Sequence, residues 1–338
     1  MDYKDFFAQV KAGSLRGAYL FEGVEEYIKA SALAAVEKAL LPPGMEQLNE
    51  AVLDNPAPDA LIAAAETLPF LADKRLVVAR ELSAFTGRGE GDDRLGEYLA
   101  RVPESCVLIL YVQGKADARK KLYQAAKKHG TVVSFQPMDE AELNRWAVRT
   151  AKGLGKELSL GDAAYLTFLA GSDAATLKTE LEKLAALTGE RGEITRADMD
   201  AICSRTMECT VFEMVDAVVA GQEGRAFGLM HDMLATGGDR LGILAMLLRQ
   251  YRLMFHVKVM QREKLPPAQI KKNLGLPGFA ADRTLRQAAG YTGWQARRAM
   301  EACLRAEYQV KSGAWNQEGA LEAAMLEIFQ LRKSGGAR

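Results

Sequence analysis

The feature of this sequence that most constrains its fold is an alternation that runs for about 140 residues and then stops. Short apolar runs recur between stretches of helical spacing: Gly17-Ala18-Tyr19-Leu20-Phe21, a run near 47–53, Arg75-Leu76-Val77-Val78-Ala79, Cys106-Val107-Leu108-Ile109-Leu110-Tyr111-Val112 and Thr131-Val132-Val133-Ser134-Phe135. Helical patterns fill 24–40, 58–67, 92–101 and 117–129 between them. A strand that is apolar at nearly every position has no face to offer water, so helices must cover both sides of its sheet. A chain that alternates strand with helix achieves this with parallel strands. The spacing predicts a five-strand parallel α/β domain over residues 1–140.

After Gln136-Pro137-Met138 only helical patterns remain. Residues 139–152, 160–170, 174–187 and 195–202 predict four helices, the third with Leu177, Leu181, Leu184 and Leu187 on one stripe. Asp139 and Thr195 have the side chains of N-caps, and Gly171 and Gly189 suit helix ends. From Cys209 onwards helices are broken at Gly221, Gly237-Gly238, Pro266-Pro267, Gly275-Leu276-Pro277-Gly278 and Gly290. The longest, from 240 to about 264, carries Leu241, Leu244, Leu248, Tyr251, Phe255 and Val259 at spacings of three or four, a packing stripe. With 338 residues the chain has room for the three domains this implies: 1–140 α/β, 141–208 a small helical module, and 209–338 a larger helical domain.

The formal charge is zero, from 44 Lys and Arg against 44 Asp and Glu, which excludes a uniformly basic nucleic-acid coat and an acidic disordered tail. That sum hides a division. Residues 1–208 hold 26 basic and 32 acidic side chains, a net −6, while 209–338 hold 18 and 12, a net +6. Opposite signs suggest surfaces that face different partners. Cys106, Cys203, Cys209 and Cys303 are scattered without a C-x-x-C pair, which points to free thiols in a reducing cytoplasm rather than to zinc or disulfides. Met1-Asp2-Tyr3-Lys4-Asp5 lacks the basic and apolar regions of a secretion signal, and no stretch approaches 18 uninterrupted apolar residues, so a cytoplasmic chain without a membrane span is expected.

In an α/β domain, phosphate would sit between the first strand and the helix it feeds. Here that turn reads Leu20-Phe21-Glu22-Gly23-Val24-Glu25-Glu26-Tyr27-Ile28-Lys29. It has one glycine, no Gly-Lys-Ser/Thr, and three carboxylates, Glu22, Glu25 and Glu26, that repel phosphate. Gly114-Lys115 and Gly155-Lys156 lack the rest of a P-loop, and the third strand leads into Arg80-Glu81 where a magnesium-holding Asp would be sought. His129, His231 and His256 lie far apart with no H-E-x-x-H, and no G-x-S-x-G occurs. Neither catalytic nor metal-ligating residues are expected, and no cofactor.

The opening Gly17-Ala18-Tyr19-Leu20-Phe21-Glu22-Gly23-Val24-Glu25-Glu26-Tyr27-Ile28 resembles the signature of the delta subunit of the bacterial DNA polymerase III clamp loader. Further pieces follow in family order: Thr67-Leu68-Pro69-Phe70-Leu71-Ala72-Asp73-Lys74-Arg75-Leu76-Val77-Val78, Leu177-Lys178-Thr179-Glu180-Leu181-Glu182-Lys183-Leu184, Val211-Phe212-Glu213-Met214-Val215-Asp216-Ala217, Ile243-Leu244-Ala245-Met246-Leu247-Leu248-Arg249-Gln250-Tyr251-Arg252 and Gln309-Val310-Lys311-Ser312-Gly313. The resemblance implies an AAA+-like α/β domain with a degenerate P-loop, a helical lid, and a helical collar through which five subunits form a ring. It also implies a chain that catalyses nothing itself within the polymerase holoenzyme. Such a subunit binds the sliding clamp (beta) and holds it open for loading on primed DNA, while sister subunits (gamma or tau, with delta-prime completing the ring) supply ATP hydrolysis. A divergent AAA+ ATPase with a nonstandard nucleotide site is the alternative, and a helical scaffold without a replication role a third.

The resemblance points to Leu68, Phe70 and Leu71 as the clamp-binding residues, at a corner where Pro69 ends a helix and stiffens the turn. Pattern alone leaves two outcomes open: these side chains plug a pocket on a partner, or they fold back onto their own sheet. In the basic C-terminal part, Arg249, Arg252 and Lys258 on the long helix, with Lys311 and Trp315, are candidates for contact with neighbouring subunits or with DNA phosphate. Trp315 stacks on a base if exposed, but burial is the expectation. Arg119-Lys120-Lys121 and Lys127-Lys128 suit a solvated helix face.

Overall fold

Strands β1 (Gly17–Glu22), β2 (Glu50–Asp54), β3 (Arg75–Arg80), β4 (Cys106–Tyr111) and β5 (Thr131–Ser134) form one parallel sheet in the order β2-β3-β4-β1-β5. The computed structural model describes residues 1–86 and 93–334 and falls into two units, Met1–Met138 and Asp139–Arg338. In the first unit, register places Ala18 and Leu20 of β1 level with Leu108 and Leu110 of β4, and these level with Val77 and Ala79 of β3. All six side chains are buried, as their uninterrupted apolar runs require.

Helices α1 (Tyr3–Lys11) and α2 (Glu26–Leu40) cover one face, where the Phe6 ring meets Tyr19 and Phe21 edge-on at 5.2 and 4.9 Å. A single turn, α3 (Glu46–Asn49), precedes β2. Helices α4 (Pro58–Glu66), α5 (Asp93–Tyr98) and α6 (Lys121–His129) cover the other face, with Leu61, Leu95, Tyr98 and Leu122 in one buried cluster with the sheet.

Local chemistry moves some boundaries from their expected places. Residues 46–49 are helical rather than strand, because the Asn49 side chain is drawn inward to main-chain partners. Residues 117–120 form a turn before α6, held by the Asp117 carboxylate accepting from the Arg119 amide. Helix α1, which the strand-and-helix pattern does not bring out, is capped by Asp2 and buries Phe6 and Val10 one turn apart. Asp92, expected to start α5, lies outside the described residues.

Among its described residues the second unit consists of helices and one isolated parallel bridge between Glu157 and Glu193. Helices α7 (Glu140–Gly153), α8 (Leu160–Ala170), α9 (Ala174–Thr188) and α10 (Arg196–Ile202) come first. Asp139 and Thr195 form capping boxes with Glu142 and Asp198, and Gly171 and Gly189 end α8 and α9. Leu177, Leu181 and Leu184 are buried; Leu187, the last of the expected stripe, is exposed.

Seven more helices follow: α11 (Met207–Val219), α12 (Glu223–Ala235), α13 (Arg240–Arg262), α14 (Pro267–Leu274), α15 (Gly278–Ala289), α16 (Gly293–Lys311) and α17 (Gln317–Ser334), the last broken at Glu318-Gly319. Helix α13 packs against α11, α14, α15, α16 and α17. Its buried residues are Ile243, Leu244, Leu247, Gln250, Tyr251, Met254 and Val257, so of the expected stripe Leu244 and Tyr251 are fully buried and Val259 is exposed. Contact with five neighbouring helices among the described residues widens the buried face beyond what one apolar stripe can mark. No helix among the described residues is long and apolar enough to cross a membrane.

Candidate partner-docking corner and the closed switch-point crevice

Helix α4 stops at Glu66, and Thr67 turns to extended backbone (φ −67°, ψ 126°), two residues before Pro69, whose ring and missing N–H prevent the helix from continuing. The segment from there to β3 leaves Leu68, Phe70 and Leu71 exposed by 77, 55 and 74%. These side chains therefore do not fold back on their own sheet. Each forgoes on the order of 2 kcal/mol of burial by standing in water. The main chain beneath them is anchored. The Asn49 carboxamide bonds both the amide and the carbonyl of Phe70, at 2.7 and 2.9 Å. Lys74 Nζ donates to the Leu15 carbonyl at 2.7 Å, and the Arg75 guanidinium to the Leu48 carbonyl at 2.8 Å. Leu48 is itself exposed and stands next to Asn49, extending the apolar surface onto α3. Sequence analysis missed both residues because 47–53 reads as one strand.

In an open parallel sheet, ligands bind beyond the strand C-termini at the point where successive connections leave in opposite directions. Here that point lies between β1 and β4, and Lys29 closes it. Its side chain is wholly buried, and Nζ donates to the Gly23 carbonyl after β1 and the Val112 carbonyl after β4, both at 2.8 Å, and to Glu26 Oε1 at 2.7 Å. Glu26 also accepts from the Gly114 amide at 2.9 Å and the Tyr111 hydroxyl at 3.0 Å. Glu22 accepts from the Ala116 amide at 3.2 Å and the Tyr123 hydroxyl at 3.1 Å. Burial works against the Glu26 charge, but the bonds from Lys29, Gly114 and Tyr111 together outweigh it and hold its carboxyl below the ordinary glutamate value.

The carboxylates thus take up the Gly114 and Ala116 amides of the segment that follows β4. Gly23 has its own structural reason: at φ +123°, an added Cβ would lie 2.1 Å from the Phe135 carbonyl oxygen. Close packing of two backbones, not a phosphate cradle, requires glycine there. Among the described residues no cluster of His, Cys, Asp or Glu could hold a metal ion, and burial pushes the thiols of Cys106, Cys203, Cys209 and Cys303 up to about 12.

The C-terminal candidates do not form one patch. Arg249 is paired with Glu208 at 2.6 Å, Arg252 is exposed, and Lys258 is half-buried, its ammonium pKa lowered by that burial. Gly293, at the start of α16, packs near Lys258, and Lys311 ends the same helix, about 27 Å away at 1.5 Å per residue. Lys311 pairs with Glu307. Trp315 is 45% exposed rather than buried, in a loop where its amide donates to the Gln309 carbonyl at 3.0 Å. Trp294, Leu304 and Tyr308 of α16 are exposed too, and the 3.6-residue repeat puts them on one side of the helix. Pattern reading did not single them out, since an amphipathic helix gives the same spacing whether its outer aromatics are free or packed.

Two family models match the chain in order: "DNA polymerase III, delta subunit" over residues 19–136 and "DNA polymerase III delta subunit, C-terminal domain" over 208–328. The chain belongs to the DNA polymerase III delta-subunit family. A Bacillus subtilis DNA polymerase III subunit delta is 25% identical over 336 residues, covering 96% of each chain. Its Escherichia coli counterpart is 23% identical over 268 residues, 74% of this chain and 73% of that one. A solved structure, the Bacillus subtilis DNA clamp loader delta protein, aligns with a TM-score of 0.55 at 24% identity over 97% of this chain and 99% of that one, a likeness of fold. Both the docking corner and the closed crevice of this delta-family chain fall within the first matched segment.

Proposed function

We propose that this chain binds the sliding clamp through Leu68, Phe70 and Leu71 and favours a clamp conformation with one interface open, so that the ring can be loaded on primed DNA. The observation that carries the reading is the set of three large apolar side chains left exposed on an anchored main chain. Apolar anchors entering a partner's pocket dominate interface energies. A ligand that binds the open ring more tightly than the closed one shifts its population by that difference in affinity and needs no chemistry of its own. Surface plasmon resonance against immobilised clamp tests the reading, and an unaltered affinity after Phe70→Ala with Leu71→Ala would sink it.

Lys29 and the acidic turn weigh against the alternative of a divergent ATPase. Equilibrium dialysis with labelled ATP should find no retention by the pure chain; saturable retention would restore that alternative. Under the proposed function residues 1–140 carry the clamp element, 141–208 form the lid, and 209–338 form the collar that assembles with the gamma or tau and delta-prime subunits in the cytoplasm. Arg249, Arg252, Lys258, Lys311 and Trp315 face those neighbours or the primed DNA. A steep fall in DNA binding with rising salt would mark phosphate contact, whereas salt-independent binding would assign them to the subunits.

A further inference from the structure

The main chain of the corner is held by a side chain from another part of the fold. Asn49 ends α3 and has no exposed surface. Its Oδ1 accepts from the Phe70 amide at 2.7 Å and its Nδ2 donates to the Phe70 carbonyl at 2.9 Å, with a longer bond to the Met45 carbonyl at 3.3 Å. Two bonds to the same residue fix where Phe70 sits and how its peptide planes are turned. The next residue, Leu71, lies at φ +49°. A leucine in the left-handed region costs on the order of 1 kcal/mol or more, and such backbone persists only where its surroundings over-determine it. The Asn49 clamp acts on the residue immediately before the strained one. Without it the Phe70 amide and carbonyl lose their partners, and Leu71 is free to relax to extended backbone, which re-aims both apolar tips.

We propose that Asn49 is a positioning residue for docking: it touches no partner and acts by keeping Phe70 and Leu71 in the presented conformation. The proposal rests on the corner being the clamp-docking element. A preorganised corner avoids the ordering cost of binding. When only a fraction of molecules is competent, the apparent dissociation constant rises by the reciprocal of that fraction, through slower association. Loss of a contact residue instead appears in dissociation.

The test uses the full chain and immobilised sliding clamp in surface plasmon resonance. Asn49→Leu keeps the branched outline of the side chain and removes both bonds; Asn49→Ala, which cannot overpack the buried site, is the second variant. Each should bind about tenfold more weakly, with slower association and nearly unchanged dissociation, while Phe70→Ala speeds dissociation. A folded Asn49→Leu chain with normal association, or with its loss carried by faster dissociation, overturns the proposal. If Phe70→Ala itself leaves binding untouched, the docking reading falls, and this inference with it. Should neither Asn49 variant fold, hydrogen exchange on the unaltered chain decides. The Phe70 amide should be protected, and exchange at the rate of an unbonded amide overturns the clamp.

Discussion

Two turns of the α/β unit treat their side chains in opposite ways. After β1, charged groups that suit solvent or a ligand are turned inward and saturate one another: Lys29 has three acceptors, and Glu26 has three donors. After α4, apolar groups that suit a core are turned outward, over a main chain fixed by Asn49. The first turn spends its buried cation and the Glu26 carboxylate on partners within the chain. The second leaves the burial of its apolar groups unrealised within the chain itself.

Truncating the corner should separate binding from folding most sharply. Phe70→Ala with Leu71→Ala is expected to weaken clamp binding about a thousandfold, two anchors at roughly 2 kcal/mol each, with circular dichroism and melting unchanged. A matching loss of thermal stability would mean that the corner is part of its own core.

The crevice should show the reverse pattern. Lys29→Met leaves two buried carbonyls and Glu26 without their cation, and is expected to cost about 3 kcal/mol in urea unfolding while the folded fraction keeps its clamp affinity. Stability within about 0.5 kcal/mol of the parent would deny Lys29 its closing role.

Two carboxylates sharpen the contrast through pH. The folded-state pKa of Glu26 is lowered, so its contribution is present above the ordinary glutamate value and is lost as pH falls through the lower folded value. Glu50, beside Asn49, is the opposite case. Burial first, then the neighbouring Glu37 charge, raises its pKa, so it favours the fold while protonated and opposes it as pH rises through the raised value. Melting curves across the acid range should show Glu26→Gln less stable than the parent at neutral pH and Glu50→Gln more stable, both gaps closing on acidification. Parallel curves would remove either group from the linkage.

The smallest effect belongs to the second unit. Arg249→Ala breaks an exposed ion pair with Glu208 and should shift stability by no more than about 0.5 kcal/mol. A larger loss would show that the pair is part of the packing.

Much of this architecture is legible without coordinates. The five apolar runs give the strands, and Asp139 and Thr195 the capping boxes. Leu68, Phe70 and Leu71 could be named from the resemblance, but pattern could not say whether they pointed in or out. Trp315 was expected inside and is half outside, and Asn49 was hidden in an apparent strand.

What the sequence determined by itself is therefore whatever rests on near neighbours: periodicity that demands burial on one or both faces, caps that bond an amide three residues ahead, and a proline that stops a helix. Tertiary structure alone decided which side chain meets which. Asn49 reaches Phe70 across 21 positions and Lys29 reaches Val112 across 83. A buried polar group must find a partner, but no local pattern says where along the chain that partner will be, because only the closed sheet brings the two together.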